Sequence, residues 1–181
     1  MLGIVFSEFL EMVEDNFGAD MADDIIDDTN PASGGAYTTV GKYDHTEIVA
    51  LVVALSKRTE TPVDDLVRFF GSHLLGRFAE RYPDFFNSKS NLFDFLESVD
   101  GYIHVEVLKL YPDAELPKFV SERKGENTLV LTYTSSRPFG NLAYGLIDGT
   151  MKHYNQPGQI LMEDLSGEAA NSVQFTITTD G

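Results

Sequence analysis

The chain has 181 residues, 43% of them hydrophobic with 13 Phe and 8 Tyr, enough for one domain with a full core or two intimate subdomains. Its 13 basic and 29 acidic side chains give a net charge of -16, a surface that repels nucleic acid and anionic membranes alike. The absence of cysteine excludes disulfides, thiolate catalysis and cysteine-built zinc or iron–sulfur sites, and it fits a reducing compartment.

The N-terminal stretch "MLGIVFSEFLEMVEDNFG" lacks a basic leader and carries Glu8, Glu11, Glu14 and Asp15, so it does not read as a signal peptide. No apolar run reaches the length of a membrane span, and a soluble cytoplasmic protein is expected. Phe6, Phe9, Leu10, Val13 and Phe17 recur at helical spacing over residues 2–17. "ADMADDIIDDTN" predicts a short acidic helix with a solvated face, and "NPASGG" a loop. Asp44 followed by Glu47 is a capping-box pattern opening a helix that turns Ile48, Leu51, Val52 and Leu55 inward. Thr61-Pro62 starts the next helix, which ends near Pro83. Residues 91–111 predict one long helix ended by Pro112. The strand "TLVLTYTS" follows, then a helix over 140–155, then a hairpin of "QILMEDL" and "SVQFTITT" joined by "SGEAAN". The predicted class is α+β, with helices first and a small antiparallel sheet after them.

Three observations bear on chemistry. Of the four histidines, His45, His73 and His153 read as surface residues. His104 lies mid-helix among Ile103, Val105 and Val107, with Gly101 three positions before it. A glycine inside a helix costs about 1 kcal/mol relative to alanine. Close approach of a flat object beside the imidazole would offset that cost; so would helix packing, with His104 bonded to a carbonyl. Gly71 likewise interrupts the stripe of Val67, Phe70, Leu74 and Phe78, leaving either a flat recess or a tight helix contact. Finally, Tyr133, Ser135 and Arg137 are spaced by two, which on a strand aligns three donors on one face. They suit an anionic group at the edge of an apolar pocket, or water and a neighbouring loop. An apolar macrocycle whose iron takes a histidine and whose rim carries two propionates has the matching chemistry.

The sequence resembles the haem nitric oxide/oxygen binding (H-NOX) family, which includes the sensor domain of soluble guanylate cyclase. The likeness runs from "MLGIVF" through "LVRFFGSHLL" and "IHVEVLKLYPDAELP" to "YTSSR", the family's Tyr-x-Ser-x-Arg motif, with a histidine 29 positions upstream. It implies a single H-NOX domain over 1–181 that encloses haem b, with a distal helical subdomain over about 1–60 and a proximal haem-binding subdomain over 61–181. His104 would be the iron ligand; Tyr133, Ser135 and Arg137 would bind the propionates; Pro117 would pack on the macrocycle and help distort it.

The same resemblance places Val5, Phe9, Leu74, Phe78, Leu142 and Leu146 on the distal wall. Leu142 stands where oxygen-binding members have a tyrosine, and Leu74 and Phe9 replace the residues that support it. The cysteine-bound zinc of some bacterial members cannot form here. A sensor of nitric oxide and carbon monoxide is therefore implied, not an enzyme. Nitric oxide would weaken and break the bond to His104, and movement of its helix would signal to a separate histidine kinase or cyclic-di-GMP enzyme. The competing readings are an oxygen sensor and a haem-free module for an apolar carboxylate.

Overall fold

Residues 1–112, 114–167 and 171–180 are described in the computed structural model. Six helices come first: α1 (Gly3–Phe17), α2 (Ala19–Thr29), α3 (His45–Thr59), α4 (Val63–Arg81), α5 (Pro83–Asn87) and α6 (Leu92–Ser98). A π-helical segment (Val99–Ile103) runs directly into α7 (His104–Leu110). Strands β1 (Lys118–Arg123) and β2 (Thr128–Ser135), helix α8 (Gly140–His153), and strands β3 (Gly158–Asp164) and β4 (Asn171–Thr179) complete the order. The strands form one antiparallel sheet, β1-β2-β4-β3. The fold is α+β, as the patterning predicts.

Helix α1 buries Phe6, Phe9, Met12 and Val13 along one stripe and stops at Gly18, whose φ of 93° suits glycine. At the start of α3 the Asp44 side chain accepts a bond from the Thr46 backbone N–H at 2.9 Å. The reciprocal half of the predicted capping box is not formed. Glu47 Oε2 instead accepts from Ser33 Oγ at 2.6 Å and Tyr37 OH at 2.9 Å, fastening the preceding loop to α3.

Two apolar clusters result. The N-terminal one joins α1, α2 and α3 with Leu66, Phe70 and Leu74 of α4. The C-terminal one joins α6, β2, α8 and β4 with Leu75 of α4. Phe78 and Leu146 pack against both. Helix α4 is also tied to α1 by Arg77 Nε, which donates to the buried Glu8 carboxylate at 2.9 Å.

Helices α4 and α8 cross with their backbones almost touching. A Cβ on Gly71 would lie 2.5 Å from the Leu142 carbonyl oxygen, and one on Gly145 would lie 2.1 Å from that of Arg68. The recess at Gly71 is thus filled by α8, the packing alternative of the sequence reading. Because backbone cannot yield as a flexible side chain does, Gly145→Ala forces the helices apart. It should destabilise the fold by about 1–3 kcal/mol or more, the cost of overpacking, visible as a lower midpoint in chemical denaturation.

Three elements depart from the sequence reading. The helix predicted over 91–111 is interrupted by the π-helical turn, in which the His104 N–H bonds to the Val99 carbonyl five residues back. Strand β1 goes unpredicted because it leaves every residue but Phe119 exposed and so lacks alternation. Helix α5 begins at Pro83 itself, where proline can open a helix as well as end one. Residues 168–170 of the "SGEAAN" connection, and Asp113 of "LYPDAELP", lie outside the described residues.

Candidate cofactor site

His104 stands where the π-helical segment becomes α7, its side chain 16% exposed. Burial lowers the imidazole below its ordinary pKa, with the Asp100 carboxylate opposing, so the ring is neutral near pH 7 and has a lone pair to offer. Nδ1 lies 3.8 Å from Asp100 Oδ1. Among the described residues no carbonyl accepts a bond from the ring, and none places an atom within 4 Å of a Cβ on Gly101. Helix packing therefore does not account for this glycine.

The sheet brings the donors to His104. Phe119 of β1 pairs with Tyr133 of β2, their ring centroids 5.5 Å apart, and the same Phe119 ring meets the His104 ring at 5.9 Å. Tyr133 is 3% exposed, and burial pushes its phenol pKa up. Strand β2 ends at Ser135, so Arg137 does not continue the strand face as its spacing predicts. The chain curls instead. Ser135 Oγ accepts from the Arg137 N–H at 3.1 Å, and the Arg137 carbonyl accepts from Tyr133 OH at 3.4 Å. Pro138, which cannot extend a strand ladder, follows.

The curl still gathers the three residues. The Arg137 guanidinium, 17% exposed, forms an ion pair with the more open Glu115. After burial itself, Arg137 is the largest influence lowering the pKa of the Met1 amine, which donates to the Tyr43 carbonyl at 2.8 Å. The charge of Arg137 is thus felt at the N-terminal amine, just before α1. Pro117, half-buried, precedes β1 and sits two positions from both Glu115 and Phe119.

The six predicted wall residues fall together elsewhere. Phe9 and Leu74 are buried in the N-terminal cluster, and Val5, Phe78, Leu142 and Leu146 pack against it. None carries a hydrogen-bond donor on its side chain. Two tyrosines join the same cluster with their hydroxyls engaged elsewhere, Tyr37 donating to Glu47 and Tyr43 accepting from the Thr38 N–H at 2.9 Å. Phe78 and Leu146 also meet the cluster that contains Tyr133, which links the two groups.

His153 is exposed, as predicted. His45 is not a plain surface residue: it is half-buried, edge-on to Phe139 at 6.0 Å. His73 is half-buried too, and its Nε2 is the one buried side-chain polar atom among the described residues that has no hydrogen-bond partner. Sequence reading missed Asp100, Glu115 and Phe119. Asp100 had a signal, four positions before His104; Phe119 had none, since its strand went unseen.

No cluster of three or more His, Cys, Asp or Glu able to hold a metal occurs among the described residues. An iron taken by His104 would draw the rest of its coordination from a prosthetic group, and a neutral imidazole, a partly buried cation with two hydroxyls, and a wall of apolar side chains fit one that is apolar with acidic arms.

A model of the haem-NO-binding family matches residues 2–162. The chain is similar to the Fe(II) unliganded H-NOX protein from K. algicida at 38% identity, covering 100% of this chain and 97% of that one, with a TM-score of 0.92. It is similar to the H-NOX from Shewanella woodyi, IWP-051-bound and in the Fe(II)CO state, at 42% identity over 98% of this chain and 94% of that one, with a TM-score of 0.83. Likeness to the S. oneidensis H-NOX protein in the Fe(II)NO state, at 24% identity, 100% coverage of both chains and a TM-score of 0.88, speaks to the fold alone. Among curated proteins none matches.

Proposed function

The chain belongs to the haem-NO-binding (H-NOX) family, and from that premise we propose that it is a haem-based gas sensor that takes nitric oxide and carbon monoxide, excludes dioxygen and is not itself an enzyme. The observation that carries this reading is the shared contact of His104 and Tyr133 with the Phe119 ring, which links a neutral imidazole to the strand that carries the donors. Haem b, when bound, supplies a ferrous iron able to take a diatomic gas. His104 would hold that iron through its lone pair. Tyr133, Ser135 and Arg137 would receive the propionates, and Pro117 would pack on the macrocycle. Val5, Phe9, Leu74, Phe78, Leu142 and Leu146 would keep water and hydrogen-bond donors from the gas. In this reading residues 1 to about 60 form the distal subdomain and 61–181 the proximal one, with α4 entering both cores.

Helix α7 buries none of its residues, and Val105, Leu108 and Leu110 are exposed on it. A change in how His104 is held is therefore resisted by little packing and reaches a surface that a separate protein can read. A histidine kinase or a cyclic-di-GMP enzyme in the cytoplasm is the proposed recipient. No helix among the described residues is long and apolar enough to cross a membrane.

Haem uptake tests the proposal. Protein freed of haem and titrated with haemin should develop a Soret band saturating at one equivalent, and the reduced product should shift on adding carbon monoxide. Failure to bind haemin, together with tight uptake of a long-chain fatty acid, would favour the carboxylate-binding module.

The clamp can be tested by rate. At about 4 Å and an effective dielectric of about 20, one charge pair is worth roughly 4 kcal/mol before desolvation and screening. Arg137→Ala should therefore release haem to a scavenger such as apomyoglobin faster than wild type. Tyr133→Phe and Ser135→Ala, each losing one hydrogen bond of about 0.5–1.5 kcal/mol, should have smaller effects. Equal release rates in wild type and Arg137→Ala would remove the turn from the propionate site.

A further inference from the structure

Three carboxylates, Asp94, Glu97 and Asp100, recur at intervals of three where the helical run passes β1. Arg123, at the end of β1, donates to Asp94 at 2.6 Å and to Glu97 at 2.8 and 2.9 Å. Asp100 takes the other end of the strand, its Oδ1 accepting from the Phe119 backbone N–H at 3.1 Å. Strand β1 is an edge of the sheet, so this N–H has no further strand to pair with and the carboxylate satisfies it. Hydrogen bonding to the backbone thus fixes where the Asp100 oxygen sits. That same oxygen is the one 3.8 Å from His104 Nδ1.

An imidazole that binds a metal through one nitrogen has its proton on the other, and the group facing that second nitrogen sets the orientation of the ring and the basicity of its lone pair. At 3.8 Å the separation exceeds a direct hydrogen bond, so Asp100 acts on the ring as a fixed negative charge. A negative charge beside Nδ1 favours the tautomer with its proton there and leaves the lone pair on Nε2. Asp100 is also the last of the three carboxylates tied to β1; α7 beyond it buries nothing.

We propose that Asp100 is the positioning residue for His104: it selects the Nε2 lone pair for the iron, strengthens it as a donor, and registers the ring against β1 through the Phe119 N–H. This rests on His104 as the haem ligand, and the test separates the two ideas. Asp100→Asn keeps an acceptor for the Phe119 N–H but removes the charge, whereas Asp100→Ala removes both. In the reduced haem protein, resonance Raman should show the iron–histidine stretching band at lower frequency in Asp100→Asn than in wild type. Hydrogen exchange of the Phe119 amide should remain slow in Asp100→Asn and become faster in Asp100→Ala. An unshifted band in Asp100→Asn, with the band lost in His104→Gly, would overturn the role of Asp100 while leaving the ligand in place. A band that survives in His104→Gly would overturn the ligand assignment itself.

Discussion

His104→Gly is expected to purify without stably bound haem, or to hold it only when imidazole is supplied to fill the space left. The reasoning is one of ligand count. In the proposed site His104 alone supplies the protein's ligand to the iron, so removing this imidazole removes the protein's bond to it. The effect should exceed that of any clamp variant, because each of those leaves the iron ligand intact. His45→Asn, His73→Asn and His153→Asn serve as controls and should leave the haem spectrum unchanged. The His73 control is the most exacting, since its ring is half-buried with an unpartnered nitrogen. Haem content and the Soret spectrum measured across the four variants check the assignment; unaltered coordination in His104→Gly would refute it.

The second large effect concerns the choice of gas. Dioxygen on ferrous iron takes on negative charge and is held better when a donor reaches it. A hydrogen bond to a charged group is worth roughly 1.5–3 kcal/mol, which at 1.4 kcal/mol per decade is about one to two orders of magnitude in affinity. The six proposed wall side chains offer no donor; of the two tyrosines in the same cluster, Tyr37 donates its hydroxyl proton to Glu47, and the Tyr43 hydroxyl is held against Thr38, whose N–H it accepts. Nitric oxide bonds strongly to ferrous iron without such help. Leu142→Tyr should therefore raise oxygen affinity, measured as the oxygen pressure needed for half-saturation, while leaving nitric oxide binding nearly unchanged. The gain should fall short of the full two decades because Leu74 and Phe9 give the new phenol nothing to hold its orientation. No gain at all would place Leu142 away from the gas.

Local signals in the sequence carried most of the fold. Helical stripes placed α1, α3 and α4, an acidic cap and a proline marked the starts of α3 and α4, and alternation gave β2, β3 and β4. What escaped was decided by tertiary context. Strand β1 has one inward side chain, so it shows no periodicity, and the sheet recruits it through backbone pairing with β2. The π-helical turn before His104 is invisible to a pattern read at helical spacing. Glu47 looked like half of a capping box, yet Ser33 and Tyr37 offered it better partners once the loop had folded over.

The site divides in the same way. His104 and the donor triplet could be picked out by residue type and spacing. That Arg137 leaves the strand and meets Glu115, that Phe119 touches both His104 and Tyr133, and that Asp100 binds β1 all depend on contacts between separate segments of the chain. Gly71 shows the limit most plainly. A glycine in an apolar stripe is compatible with a flat ligand or a second helix, and the answer lay in Gly145, more than seventy positions away.

The most direct measurement is the absorption spectrum of the reduced haem protein, recorded first without gas, then under nitric oxide, then in air. The expected result is a haem spectrum that changes on adding nitric oxide and shows no lasting dioxygen complex in air. A stable oxy-ferrous spectrum in air would contradict it and make the protein an oxygen sensor.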